Sequence, residues 1–193
     1  MDPTYSGSFL DWPTAEEGDT GEVYARYAEV YDAFFGDIRN DAMFYLKRAA
    51  EHLAPGGSVL EIGSGTGRVA ERFLREGYRV TGVDASTAML SRASQSLAEF
   101  GDRYTGVHAD VRTMTLPERF RLAVAPYGMV AHLLSNEDRL ATFRRVREHL
   151  VPGGVFIFDD MPGWLATALG AEAADGGTLE LRKTTTVPDS SMT

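Results

Sequence analysis

Three glycines spaced two apart, Gly63, Gly65 and Gly67, stand in the stretch VLEIGSGTGRVAERF, two residues after the acidic Glu61. They separate an apolar run from the first turns of a helical pattern. A main chain this bare lets a ligand lie against backbone amides at a helix N-terminus, and glycine permits the positive φ such a turn requires. The spacing is not the G-x-G-x-x-G of a dinucleotide-binding turn. Asp84 closes the next apolar run in VTGVDASTAML, where a carboxylate can accept hydrogen bonds from both vicinal hydroxyls of a ribose. Asp110 follows the third run in HADVRTM. It is placed to accept from an adenine amino group while the Val111 amide meets the ring edge.

Further along, the segment APYGMVAHLLSNEDR holds Tyr127 and His132. His132 can take a proton near neutral pH, and Tyr127 can orient a bound molecule. His52 and His149 lie at helix ends and His108 within a strand, so they are weaker candidates. The pair Asp159-Asp160 invites a magnesium reading, but no catechol-type ligand set accompanies it, and no metal is expected.

The elements that must carry these residues alternate. Strand-like runs fall at 58–62, 79–83, 104–108, 122–125 and 155–158, with helical patterns at 68–76, 87–100 after a capping Ser86, and 137–150. In the last of these, Leu140, Phe143, Val146 and Leu150 share one face. Strands alternating with helices predict a doubly wound α/β fold with a mostly parallel sheet covered on both faces. HLAPGGSVLEIG and HLVPGGVFIFDD repeat one helix-to-strand joint, because proline stops a helix and glycine accepts the left-handed exit. Ahead of the sheet, a helix over 41–53 and an earlier one from Glu22 are expected. The earlier helix carries the aromatic face of Tyr24, Tyr27, Tyr31 and Phe34, which would form a lid that excludes water from a bound molecule.

Composition narrows the remaining classes. The chain has 193 residues, no cysteine and a formal net charge of −9, so disulfides and thiolate chemistry are excluded and a nucleic-acid partner is unfavourable. No apolar run approaches the roughly 18 residues of a membrane span, and the N-terminus lacks signal-peptide order. A cytoplasmic location and no membrane partner are the expectation. Residues 1–21 read as a flexible arm, 22–160 as one ligand-binding domain, and 161–193 as a short helix and an auxiliary strand.

As a set, EIGSGTGR, GVDASTAML, HADVRTM and HLVPGGVFIFDD resemble the ordered motifs of class I S-adenosylmethionine-dependent methyltransferases, over about 24–160. The resemblance implies a Rossmann-like sheet of strand order 3-2-1-4-5-7-6 with S-adenosyl-L-methionine at its carboxyl edge. It implies Glu61, Gly63 and Gly65 at the methionine moiety, Asp84 at the ribose, Asp110 and Val111 at the adenine, and Ala85 and Met89 on the purine faces. Within the family, the leading YARYAEVYDAFF is similar to a small-molecule branch of amino-sugar and glycine N-methyltransferase-like enzymes. The implied activity is methyl transfer to a small molecule, at nitrogen before oxygen. A non-methylating cyclase on the same fold is the alternative.

The family sheet needs more than 161–193 supplies, so its C-terminal part is expected to be missing. The outer edge of the fifth strand would then be covered by a second subunit in a homodimer or by the 178–187 strand, or the chain would be a truncated form of a longer one.

Overall fold

The structure is a computed structural model and describes Ala28, Tyr31, Asp32 and residues 40–159. The expected arm, the lid residues Tyr24 and Tyr27, the helix and strand after Asp160, and the cover of the sheet edge lie outside these residues. Among the described residues the elements are α1 (Asn40–His52), β1 (Ser58–Ile62), α2 (Arg68–Arg75), β2 (Arg79–Asp84), α3 (Thr87–Ser96), β3 (Tyr104–His108), β4 (Phe120–Ala125), α4 (Asn136–Glu148) and β5 (Leu150–Phe158). A 3-10 turn, Ala98–Arg103, links α3 to β3, and a second, Met129–His132, follows β4.

The five strands form one parallel sheet in the order β3-β2-β1-β4-β5. Alternation along β1 explains why both faces are covered. Val59 joins Tyr45, Phe73, Leu74 and Leu122 beneath α1, α2 and α3, while Leu60 and Ile62 join Phe120, Met114 and Val146 on the α4 side. Strand order reverses between β1 and β4, and the crevice at the carboxyl ends of such a pair is where open α/β sheets bind ligands.

Two helices depart from the sequence reading. The helix expected to reach Phe100 stops at Ser96, and the 3-10 turn that follows contains Gly101 at φ 59°. Leu97 and Phe100 keep the apolar spacing, so the pattern overran a break in the backbone; both still pack into the core. On α4 the buried stripe is Arg139, Thr142 and Val146, and Leu140 is 53% exposed. The helix packs on the sheet through Val146 and through Phe143, whose ring meets those of Phe156 and Phe158 on β5.

The repeated joint is present twice: Gly56 and Gly153 follow their prolines at φ 79° and 72°. In the second copy β5 already includes the Pro-Gly-Gly, and the register against β4 jumps from Phe120 with Leu150 to Leu122 with Val155.

Candidate functional site

The loop after β1 is built by main-chain hydrogen bonds to β2. The amides of Gly63 and Ser64 both donate to the Val83 carbonyl, at 2.8 and 3.0 Å, which bends the chain over the end of the neighbouring strand. Gly63 is required here because a Cβ would lie 2.5 Å from Met129 Cγ. Gly65 faces open space at the same point, at φ 54°. Below the loop Glu61 is 1% exposed.

Asp84 ends β2 and holds two amides at once. Gly65 N–H donates to its Oδ2 at 2.8 Å and Ser86 N–H to its Oδ1 at 2.8 Å. Burial raises its pKa above the ordinary carboxylate value, and the Ser86 and Gly65 bonds oppose that rise. An ionised carboxylate offers about four lone-pair sites, so two donors leave room for more. Ser86 caps α3 by accepting from Met89 N–H at 3.4 Å, as its position before the helix predicts. Met89 is 1% exposed, and with Ala85 it supplies the apolar wall beside Asp84.

At the end of β3, Asp110 is gripped by Arg112. The Arg112 amide donates to Asp110 Oδ1 at 2.8 Å and the guanidinium to Oδ2 at 2.6 Å, while its Nη1 reaches Asp138 Oδ1 at 3.0 Å. The Arg112 hydrogen bonds hold the Asp110 and Asp138 carboxyls below the usual carboxylate range.

The opposite wall comes from the segment after β4. Tyr127 is the one non-glycine at positive φ among the described residues, at 62°, and the Arg68 guanidinium sits over its ring at 5.1 Å. Tyr31 lies close by; burial raises its hydroxyl pKa to about 12 against the opposing charge of Arg68. Burial lowers the pKa of His132 below the ordinary imidazole value.

These residues share a cavity of about 210 Å³, lined by Glu61, Gly63, Gly65, Asp84, Ala85, Met89, Asp110, Val111, Tyr127, His132 and Tyr31. The other histidines are elsewhere. Leu116 N–H donates to His149 Nε2 at 2.9 Å, so its Nδ1 carries the proton toward the Arg145 carbonyl at 2.7 Å. His108 Nε2 meets the Ala85 carbonyl at 3.0 Å.

Four contributors escaped the sequence reading. Asp32 accepts from Thr66 Oγ1 at 2.5 Å and from Arg92 Nε at 3.1 Å, which ties the segment bearing Tyr31 to the glycine loop after β1 and to α3. Arg112, Asp138 and Met129 also line the cavity. Only Arg112 carried a local signal, the two-residue step from Asp110 that favours an Asx turn.

The glycine loop after β1, the carboxylate that ends β2 and the acid that follows β3 meet in one cavity at the carboxyl edge of the parallel sheet. Residues 59–154 match the family model described as "Methyltransferase domain". The chain belongs to the S-adenosylmethionine-dependent methyltransferases. It is 28% identical over 142 residues to dTDP-3-amino-3,4,6-trideoxy-alpha-D-glucopyranose N,N-dimethyltransferase of Streptomyces venezuelae, covering 72% of this chain and 57% of that protein. The glycopeptide N-methyltransferase MtfA, solved with (S)-adenosyl-L-methionine, is similar at 33% identity and TM-score 0.55, over 61% of this chain and 53% of that one. The amino pentose methyltransferase CalS10 from Micromonospora echinaspora, solved with S-adenosylmethionine bound, is similar at 26% identity and TM-score 0.59, over 68% and 56%. The chain spans about half the length of the curated relatives it matches. No helix among the described residues is long and apolar enough to cross a membrane.

Proposed function

We propose that the protein transfers a methyl group from S-adenosyl-L-methionine to an amine of a small molecule of the amino-sugar kind. The observation that carries the reading is the shared cavity, which sets Glu61, Asp84 and Asp110 along the strand ends opposite Tyr127 and His132. The names of the Streptomyces and Micromonospora relatives support the amine and the sugar.

The residues fit the cofactor. Gly63 and Gly65 leave the main chain bare, Asp84 is ionisable and keeps acceptor capacity, and Ala85 with Met89 offers an apolar surface for a purine. Glu61 would meet the methionine end, Asp84 the ribose, and Asp110 with the Val111 amide the adenine. When bound, S-adenosylmethionine supplies an electrophilic methyl carbon on a sulfonium and leaves as the neutral thioether. Toward that carbon the chain must hold a neutral nitrogen in line and exclude water, and positioning of this kind carries much of such a rate. Tyr127 and Tyr31 wall the acceptor side. The attacking nitrogen gains the methyl group and a positive charge, and His132, kept neutral by its lowered pKa, takes the proton released.

The test is release of S-adenosylhomocysteine, followed by mass spectrometry, with a panel of nucleotide-linked amino sugars, free amino sugars and amino acids. Turnover with an amino sugar and a mass gain of one methyl on its nitrogen is the expected result. Tight binding of S-adenosylmethionine with no methylated product from any amine would overturn the transfer reading in favour of the cyclase.

A further inference from the structure

We propose that Asp159 is a positioning residue whose carboxylate fixes the Tyr127–Gly128 turn and thereby shapes the acceptor side of the site. The proposal rests on the reading that the methyl acceptor binds beside Tyr127. Ala125 and Phe158 are paired in the last register position of β4 and β5, so the two strands deliver Pro126 and Asp159 side by side. From there Tyr127 N–H donates to Asp159 Oδ1 and Gly128 N–H to Oδ2, each at 2.7 Å. Both donors belong to residues at positive φ, 62° and 67°. Glycine accepts that conformation freely and tyrosine does not, so an outside restraint must hold Tyr127 in it. Two charge-assisted bonds to consecutive amides are such a restraint.

The result is directional. Held in this turn, the Tyr127 ring lies under Arg68 on the wall of the cavity, and the chain continues into the 3-10 turn that carries Met129 and His132. A third donor, the hydroxyl of the buried Tyr45 on α1, also bonds Asp159 Oδ1. Three N–H and O–H donors converging on one carboxylate mark it as a hydrogen-bond acceptor.

The test uses the full chain with Asp159→Ala, Asp159→Asn and Tyr45→Phe. Amide hydrogen exchange by NMR at Tyr127 and Gly128 should quicken at least about tenfold in Asp159→Ala and by less in Asp159→Asn, which keeps one side-chain oxygen. Tyr45→Phe leaves both amide bonds and should leave that exchange unchanged. S-adenosylmethionine affinity by calorimetry should stay within about twofold of the parent, while KM for the amine acceptor rises in the order Asn then Ala, with a smaller change in kcat. Unchanged exchange at the two amides in Asp159→Ala would overturn the proposal, as would quickened exchange with an unaltered acceptor KM. If Asp159→Ala fails to fold, Asp159→Asn decides by the same two readings. Failure of the transfer reading shows separately, as absence of methylated product from the parent chain, and the exchange result then tests the turn alone.

Discussion

The Gly65 amide donates to Asp84 Oδ2 at 2.8 Å, so the glycine loop after β1 and the acid at the end of β2 form one hydrogen-bonded unit across 19 residues of sequence. The ribose-binding carboxylate proposed here is therefore held by the protein's own amides, its other oxygen fixed by Ser86 N–H. Preorganisation of this sort lowers the ordering cost of binding.

Asp84→Ala removes a charged acceptor from this unit. Hydrogen bonds to charged groups contribute roughly 1.5–3 kcal/mol, so S-adenosylmethionine affinity should fall at least about tenfold. Isothermal calorimetry reads this directly, and an unaltered Kd would remove Asp84 from the ribose. Asp84→Asn should fall between the two, because one of the two amide donors then faces an NH₂ group.

Gly67 plays a different part from its two neighbours. A Cβ there would lie 2.6 Å from Leu97 Cδ1 and 3.3 Å from Ala93 Cβ, and its φ is 84°. Gly67→Ala combines a left-handed penalty of about 1–2 kcal/mol with overpacking of about 1–3 kcal/mol, so thermal unfolding should show a loss of several kcal/mol. Because Leu97 is the obstacle, Gly67→Ala with Leu97→Ala should be less destabilised than the sum of the single changes. Strict additivity in that cycle would show that packing against Leu97 is not the reason for the glycine.

Much of this arrangement was legible in the sequence because each landmark sits within a few residues of its own strand. β1 and β3 fall where the apolar runs place them, since a short buried run between turn signals has little freedom of register. Glu61, Asp84 and Asp110 reach one cavity because parallel strands align their carboxyl ends. What stayed hidden depends on distant partners. Asp32 meets Thr66 and Arg92, and Asp159 meets Tyr127, across separations that no local spacing encodes. Leu140 misled in a narrower way: of the expected apolar face, Phe143 and Val146 do pack on the sheet, while Leu140, one turn nearer the helix start, is left exposed.

Two half-buried tyrosines bear on stability at alkaline pH. Burial raises Tyr31 and Tyr104 to about 12 each, against roughly 10 in an unfolded chain. The neutral hydroxyl is favoured by folding, so ionisation begins in the unfolded state first. Stability present below pH 10 should therefore drain away as pH rises from about 10 toward 12. Chemical unfolding across that range, followed beside ultraviolet phenolate absorbance, should show the loss, and Tyr31→Phe should remove the Tyr31 share of it. Titration of all tyrosines together near 10 in the folded protein would contradict the burial.

His132 gives the opposite sign on the acid side. Burial lowers its pKa below the roughly 6.5 of an ordinary imidazole, so the unfolded chain binds a proton more readily than the folded one. Its contribution to stability is complete above pH 6.5 and is lost as pH falls through the unfolded value toward the lower folded one. The same shift keeps the imidazole neutral and ready to accept a proton at neutral pH. If it receives the proton from the methylated amine, the acid limb of kcat should lie below 6.5, and His132→Ala should lower kcat by about 10²-fold while S-adenosylmethionine affinity is retained. An amine acceptor also loses its nucleophilic form in acid, but that titration belongs to the substrate and should move with its pKa across an acceptor series. The limb that stays fixed across acceptors and vanishes in His132→Ala is the signature of the histidine. Full activity of the variant would leave His132 with a packing role beside Tyr127.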